Sequence, residues 1–115
     1  MSVVNMIERQ GRYGLKNEYG YHFTESILTT ATGNDIHIPA LPAGKTIAVT
    51  LIAGTGNGYI QFTTSSDAAV TAGTATWQTW AQGTGKTGTV SDELTKATAV
   101  RGVSGSGTVA IEVLI

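Results

Sequence analysis

Apolar and polar residues alternate with a period of two along much of the chain from about residue 23 onward. The alternation is cleanest near the end of the sequence, in residues 108–115. One phase of this stretch consists of Val109, Ile111, Val113 and Ile115, and the other contains Ala110, Glu112 and Leu114. Because successive side chains of a strand point to opposite faces, the pattern predicts a strand with one buried face.

Turn-forming residues separate further candidate strands about every 8–12 positions, a spacing typical of sandwiches and barrels. The predicted strands cover residues 26–30, 36–38, 45–53, 59–64, 74–81, 87–90, 97–103 and 108–115. Glycines in residues 54–58 predict a hairpin turn, and residues 104–107 predict a second tight turn. Residues 67–70 fit one helical turn, and residues 92–94 fit a connection. We therefore predict an all-β protein: a single antiparallel β-sandwich, jelly-roll-like or immunoglobulin-like, with seven to eight short strands.

The first 22 residues differ from this pattern and predict an extended N-terminal arm. They have no sustained period, and 6 of the 15 charged residues lie within the first 25 positions. Tyrosines and arginines are interleaved there, and these side chains commonly anchor interfaces. Two interpretations stay open: a tail without partners, or an arm that orders against a neighbouring subunit. In either case we divide the chain into an arm, residues 1–22, and a β-sandwich domain, residues 23–115.

Composition strengthens the all-β prediction and narrows the choice of partners. The 115 residues include 15 glycines and 2 prolines, and threonine, with 19, is the commonest residue. Threonine favours strands, whereas glycine breaks helices and supplies turns. Seven basic and 8 acidic residues give a net charge of −1, so no electrostatic feature indicates nucleic acid or a membrane as a partner. With no cysteine, disulfides and cysteine-bound zinc are excluded.

The beginning of the sequence lacks a basic region followed by an apolar run, so we expect no signal peptide. The longest apolar stretch, residues 47–54, is far shorter than the ~20 residues of a membrane-spanning helix. We therefore expect a soluble protein made in a cytoplasm. A strand running to Ile115 has no charged tail behind it, and bare apolar edges invite association. We expect a homo-oligomer in which assembly covers at least one sheet edge.

Two short motifs resemble phosphate-binding loops. Residues 83–87 spell GTGKT, and residues 44–46 repeat its last three letters. A phosphate loop also needs a glycine five positions before the Gly-Lys pair and a helix after it. Trp80 and Pro39 occupy those positions, and the residues that follow favour strands. We predict turns carrying a solvated lysine, and no nucleotide or other cofactor.

Two histidines, His22 and His37, each have a carboxylate nearby in the sequence, Glu25 and Asp35. Such a set could hold a metal ion. His37 nevertheless lies between two apolar residues of an alternating strand, so its side chain is expected to face solvent. Nothing in the sequence brings a serine to either histidine, as nucleophilic catalysis would require. We predict no metal site and no enzymatic activity.

Trp77 and Trp80 are the most prominent aromatic residues. Positions three apart on a strand face opposite sides, so one tryptophan should enter the core and the other should lie outside. An outer tryptophan suits a subunit contact or a platform for a sugar ring. Arg101, within an apolar strand, suits an interface or a buried ion pair. The candidate interface residues are Arg9, Arg12, Tyr13, Tyr19, Tyr21, Trp77, Trp80 and Arg101.

In overall composition and pattern, residues 27–115 resemble small β-rich virion proteins of tailed bacteriophages. The resemblance is carried by LPAGKT at 41–46, FTTSSDAAV at 62–70, AGTATWQTW at 72–80 and ATAVRGVSGSGTV at 97–109. It implies a non-enzymatic structural protein of the virion, made in the bacterial host cytoplasm, that decorates or cements the capsid. Its partners would be the major capsid protein or other virion subunits. Alternatives are a carbohydrate-binding or fibre-type receptor-binding module, and a head or tail adaptor.

Overall fold

The computed structural model describes residues 2–10, 16–40, 46–80, 85–94 and 96–115. Within these ranges it contains nine strands and one helix. The strands are β1 (Val3–Asn5), β2 (Ile7–Gln10), β3 (Lys16–Ile27), β4 (Asp35–His37), β5 (Ile47–Thr63), β6 (Gln78–Thr79), β7 (Lys86–Leu94), β8 (Ala99–Ser106) and β9 (Val109–Leu114). The helix is α1 (Asp67–Ala72). The all-β class is therefore confirmed.

The long strand β5 organises the whole sheet. Its first part pairs with β9 on one edge and β7 on the other, and its second part pairs with β8 and β6. The full strand order is β1-β4-β8-β5-β9-β3-β2. We call β2, β3, β9, β7 and the first part of β5 the β9 half. The β8 half consists of β1, β4, β8, β6 and the second part of β5.

The hairpin predicted at residues 54–58 is wrong, because β5 continues through these glycines without reversing direction. The ladder is interrupted there by register shifts, as at β-bulges. Before the shifts the buried positions of β5 are odd-numbered, from Ile47 to Ala53, and after them they include Gly58 and Ile60. The irregularity thus changes the phase of the strand and keeps its apolar side facing inward.

The tight turn predicted at residues 104–107 joins two strands that do not pair with each other. Both β8 and β9 run antiparallel to β5, one after the other along the same edge. A Cβ on Gly56 would collide with the backbone carbonyl oxygen of Ser106, so the two irregular segments lie against each other. We call this meeting point the fold line, since it separates the two halves.

The two halves face each other across one core. A Cβ on Gly102, in β8, would lie 2.5 Å from Cδ1 of Ile27 in β3. The main buried side chains of the core are Ile27, Ile36, Ile47, Val49, Leu51, Ile60, Val100, Val109, Ile111 and Val113. The inward phase predicted for the last strand is therefore confirmed.

Several predicted boundaries need correction. Strand β7 extends through the predicted connection at 92–94, because its inward Leu94 packs against the core. Strand β3 begins at Lys16 rather than residue 26, since β9 pairs with it from His22 onward and β2 pairs with its earlier residues down to Lys16. The strand predicted at 74–81 is reduced to β6, which pairs with β5 through two residues only. The helical turn is confirmed: α1 has Ser66 as its N-cap and Gly73 as its left-handed C-cap.

The N-terminal strands lie at the two ends of the strand order. β1 pairs with β4, and β2 pairs with β3, with Met6 buried between the two short strands. Residues 3–10 thereby connect both ends of a nearly closed sheet. β1 is parallel to β4, so the prediction of a purely antiparallel arrangement is wrong at this pair. The division into residues 1–22 and 23–115 stays a prediction.

Candidate functional site

The outer surface of the β8 half carries a polar cluster around Arg101. This residue pairs across the sheet with Gln61 of β5. Its Nε donates a hydrogen bond to Gln61 Oε1 at 2.8 Å, and its Nη1 lies 3.5 Å from Asp35 Oδ1. The guanidinium carbon stands 4.0 Å from the centre of the Trp77 ring, a cation–π contact. One arginine thus joins two strands and the segment that carries Trp77.

Asp35 is a buried carboxylate, with 5% of its surface exposed. Among the described residues its Oδ1 has no hydrogen-bond partner, so Arg101 supplies the compensating charge. Removing one member of such a pair leaves a buried charge without compensation, which is costly. The buried ion pair foreseen for Arg101 is therefore present, while an interface role for this residue stays a prediction.

The two tryptophans divide as predicted, one inside and one outside. Trp80 is 4% exposed, and its ring packs edge-to-face on Phe62 with the ring centres 6.3 Å apart. Its Nε1 donates a hydrogen bond to Asp92 Oδ2 at 3.1 Å. Trp77 is half-buried beneath the Arg101 guanidinium. A ligand from solvent can therefore reach Trp77 but not the Trp80 ring.

Residues 64–77 cover the outer face of the β8 half. Thr63 and Ala99 belong to the outward phase of their strands, yet both are 0% exposed. Thr63 Oγ1 donates a hydrogen bond to the carbonyl oxygen of Thr76, and Val70 of α1 is buried. His37 Nε2 lies 2.9 Å from Asp67 Oδ1, which ties β4 to the beginning of the helix.

A cavity of about 520 Å³ lies beside this tie. Its polar lining includes His37, Asp67, Thr64, Thr98 and Lys96. His22 is on β3, in the other half of the sheet. Within the described ranges, no group of three or more histidine and acidic side chains is placed to hold a metal ion.

The outer face of the β9 half is bare by contrast. Its outward residues form rows across β2, β3, β9, β5 and β7, and one row contains Ile7, His22, Leu114, Ala48 and Glu93. Ile7 is 55% exposed, Leu114 44% and Ile52 36%. The next rows contain Thr24, Glu112, Thr50 and Ser91, then Ser26, Ala110, Ile52 and Thr89. We call the surface formed by these three rows the bare face.

The bare face combines small hydroxyl side chains with a few apolar ones and little charge. The acidic residues of its three rows are Glu93 and Glu112. Thr50 Oγ1 and Ser91 Oγ are 2.8 Å apart and share a hydrogen bond across β5 and β7. A pleated sheet with short side chains offers a broad surface on which another protein can pack. Its exposed apolar residues, Ile7, Leu114 and Ile52, are separated by polar ones.

The predicted interface residues whose side chains the structure describes do not form one surface. Trp77 and Arg101 are in contact, and Trp80 lies in the core. Tyr21 packs partly buried against the core. Arg9 lies in β2 and Tyr19 in β3, and Arg12 and Tyr13 lie outside the described residues. An interface role for these residues stays a prediction.

The bare face was not identified from the sequence. Its clearest signal was present in the last strand, where Leu114 is a large apolar residue in the otherwise outward phase. Ile52 is the corresponding signal in β5, because its neighbours in the buried phase are Leu51 and Ala53. Apolar residues in the solvent phase of two paired strands are the signal from which a contact surface can be proposed.

Comparisons with protein families, with curated proteins and with solved structures found no match. In the described part of the chain, no helix has the length and apolar character needed to span a lipid bilayer.

Proposed function

We propose that this chain is a non-enzymatic structural protein of a tailed bacteriophage particle, which decorates or cements the capsid by bridging subunits. The bare face carries the proposal. It has exposed Ile7, Leu114 and Ile52 on paired strands, and few charges that a partner would have to desolvate. Apolar side chains within a polar rim are the common anatomy of a protein interface.

A cement protein stabilises a shell by binding the assembled form and not the separated subunits. The proposal therefore includes the major capsid protein or another virion subunit as the partner, a homo-oligomeric state, and location in the virion after synthesis in the host cytoplasm. No cofactor, nucleic acid or membrane is part of it. A jelly-roll-like or immunoglobulin-like sandwich remains our proposal for the type of fold.

The test is binding of the purified protein to phage shells that lack it, measured by co-sedimentation. Leu114→Glu places a charge in the row of the bare face that contains Ile7 and should abolish binding. Leu28→Glu is the matched control, because Leu28 is 71% exposed but follows β3 in the chain and lies outside the paired rows. Absence of the unmodified chain from the shell pellet would contradict the proposal. Equal loss of binding in both variants would remove the bare face from it.

A second candidate is a carbohydrate-binding or fibre-type receptor-binding module, favoured by the half-buried Trp77 beside Gln61 and Arg101. Aromatic faces and planar polar groups together are suited to sugar rings. Titration with host surface glycans should change tryptophan fluorescence in the unmodified chain and in Trp80→Phe, but not in Trp77→Phe. A head or tail adaptor differs from cement in copy number and position, which quantitative mass spectrometry of purified particles would measure.

A further inference from the structure

Residues 2–10 connect the two ends of the sheet, and we call them the N-terminal clasp. On one side Val3 pairs with Asp35, whose backbone N–H donates a 2.9 Å hydrogen bond to the carbonyl oxygen of Ser2. On the other side Ile7 pairs with His22 in β3. Met6, 8% exposed, lies between the two short strands. The clasp therefore occupies a seat formed by the edges of β4 and β3.

The β1 side of the clasp is held by a short ladder. β1 has three residues in a parallel ladder, which is the less stable pairing per residue. Val3 is 39% exposed and Ile7 is 55% exposed, so Met6 is the buried side chain among residues 2–7, and Val4 packs partly buried against the core. The pairing of β2 with β3 is interrupted by a register shift between Glu8 and Gln10. A short terminal strand with little buried surface can leave its seat at modest cost.

We propose that the clasp is exchanged between copies of this chain, so that residues 2–10 of one copy occupy the seat of another. The occupant follows from the structure itself: the seat already fits this sequence, and a second copy carries the same sequence. Every contact made within one chain can be made equally between two, which makes exchange of an identical element a low-cost route to assembly.

This inference deepens the proposed function and rests on it, because it names the contact through which neighbouring copies are joined. After exchange, Ile7 of one copy would complete the bare face of another, and that face would stay open to a shell. In such a cement layer, exchanged strands would link neighbouring copies to each other, and the bare face would attach each copy to the shell. The partner for this contact is a second copy of the chain, whereas the bare face contacts the capsid.

The experiment uses single cysteine substitutions, which the chain permits because it contains no cysteine of its own. Ile7→Cys and His22→Cys replace exposed residues that are direct cross-strand partners in the clasp and its seat. The two variants, one carrying a mass label, are mixed in denaturant, refolded together at high concentration and oxidised. Exchange places the thiol introduced in the clasp of one copy beside the thiol introduced in the seat of another. Mixed disulfide-linked dimers are therefore expected on a non-reducing gel.

The matched control is the pair Thr24→Cys and Glu112→Cys, exposed cross-strand partners on β3 and β9 that exchange keeps within one chain. Mixed dimers should be at least about tenfold more abundant for the clasp pair than for this control. The double variant I7C/H22C shows whether the site can form a disulfide. A disulfide within single chains of the double variant, without mixed dimers from the single variants, would overturn the proposal.

Equal amounts of mixed dimer from both pairs would also overturn it, because surface thiols would then be meeting at random. The measurement uses the purified chain alone. A negative result leaves shell binding to be decided by the co-sedimentation of L114E and L28E, so the two proposals fail separately.

Discussion

The outer face of the β8 half is covered by another segment of the chain, whereas the outer face of the β9 half is exposed. In the β8 half, residues 64–77 cover the sheet, bury Thr63 and Ala99, and place Trp77 against Arg101. In the β9 half the equivalent face is open and exposes Ile52 and Leu114. Both faces are built on the same strand β5. The difference arises because residues 64–77 cover the β8 half. None of the residues that the structure describes covers the outer face of the β9 half.

This contrast separates stability from recognition. The covered face contains a buried ion pair, a cation–π contact and a capped helix, all of which hold the fold together. The bare face contributes exposed side chains whose removal should change stability little. We therefore expect substitutions in the β8 half to act on folding, and substitutions on the bare face to act on binding.

The largest effect is expected where the two halves meet. Gly56→Ala would drive a Cβ into the carbonyl oxygen of Ser106, and backbone at both sides leaves little room to relax. We expect a loss of about 3 kcal/mol or more in the free energy of unfolding, measured by urea denaturation. Gly54→Ala is the control: it has φ +58° but no atom within 4 Å of the added Cβ, so about 1 kcal/mol is expected. Equal losses would show that the fold line is not tightly packed.

The next effect concerns the ion pair of the covered face. Arg101→Met leaves Asp35 buried without its charge partner and removes the contact with Trp77. We expect a loss of about 3 kcal/mol, near the lower end for broken buried pairs because Arg101 is partly exposed. Combining it with Asp35→Asn should recover a large part of that loss. A double variant as unstable as R101M alone would contradict the charge explanation.

A smaller loss is expected at the covering helix. Val70→Ala removes the buried side chain of α1 and should lower the free energy of unfolding by about 2 kcal/mol. Leu28→Ala, at a residue 71% exposed, should change it by less than ~0.5 kcal/mol. Thermal unfolding followed by circular dichroism can measure both. A V70A loss as small as that of L28A would mean that the segment covers the sheet without stabilising it.

The smallest effect on stability is expected on the bare face. Leu114→Glu, at a residue 44% exposed, should lower the free energy of unfolding by less than about 1 kcal/mol. The same variant should lose shell binding, so its effects on stability and on recognition differ most strongly. A large loss of stability in L114E would contradict the claim that the bare face acts in binding and contributes little to stability.

Much of the local structure could be predicted from the sequence. The alternation in residues 108–115 defined β9 and its inward side, and the spacing of Trp77 and Trp80 placed one ring inside and one outside. The helical turn predicted at residues 67–70 is part of α1, which the structure shows capped by Ser66 and Gly73. These features depend on a few neighbouring residues, which is why a single sequence reveals them.

The candidate site was less predictable. Arg101 and Trp77 could be singled out as unusual, but their contact with each other and with Asp35 joins residues far apart in the chain. The sequence shows apolar residues in the outward phase of β5 and β9. It does not show which outer face of the sheet another segment covers, because that depends on the path of residues 64–77.

The sequence by itself determined the all-β class, the buried phase of its main strands and the positions where the chain can bend. Only the tertiary structure decided that the glycines of residues 54–58 form an irregular stretch within one strand, and that the N-terminal strands connect both ends of the sheet. Alternation shows that one side of a strand is buried, but it does not show which strands pair with it. Strand partners are chosen by long-range packing, and a glycine-rich stretch is compatible with a reversal and with a bulge alike.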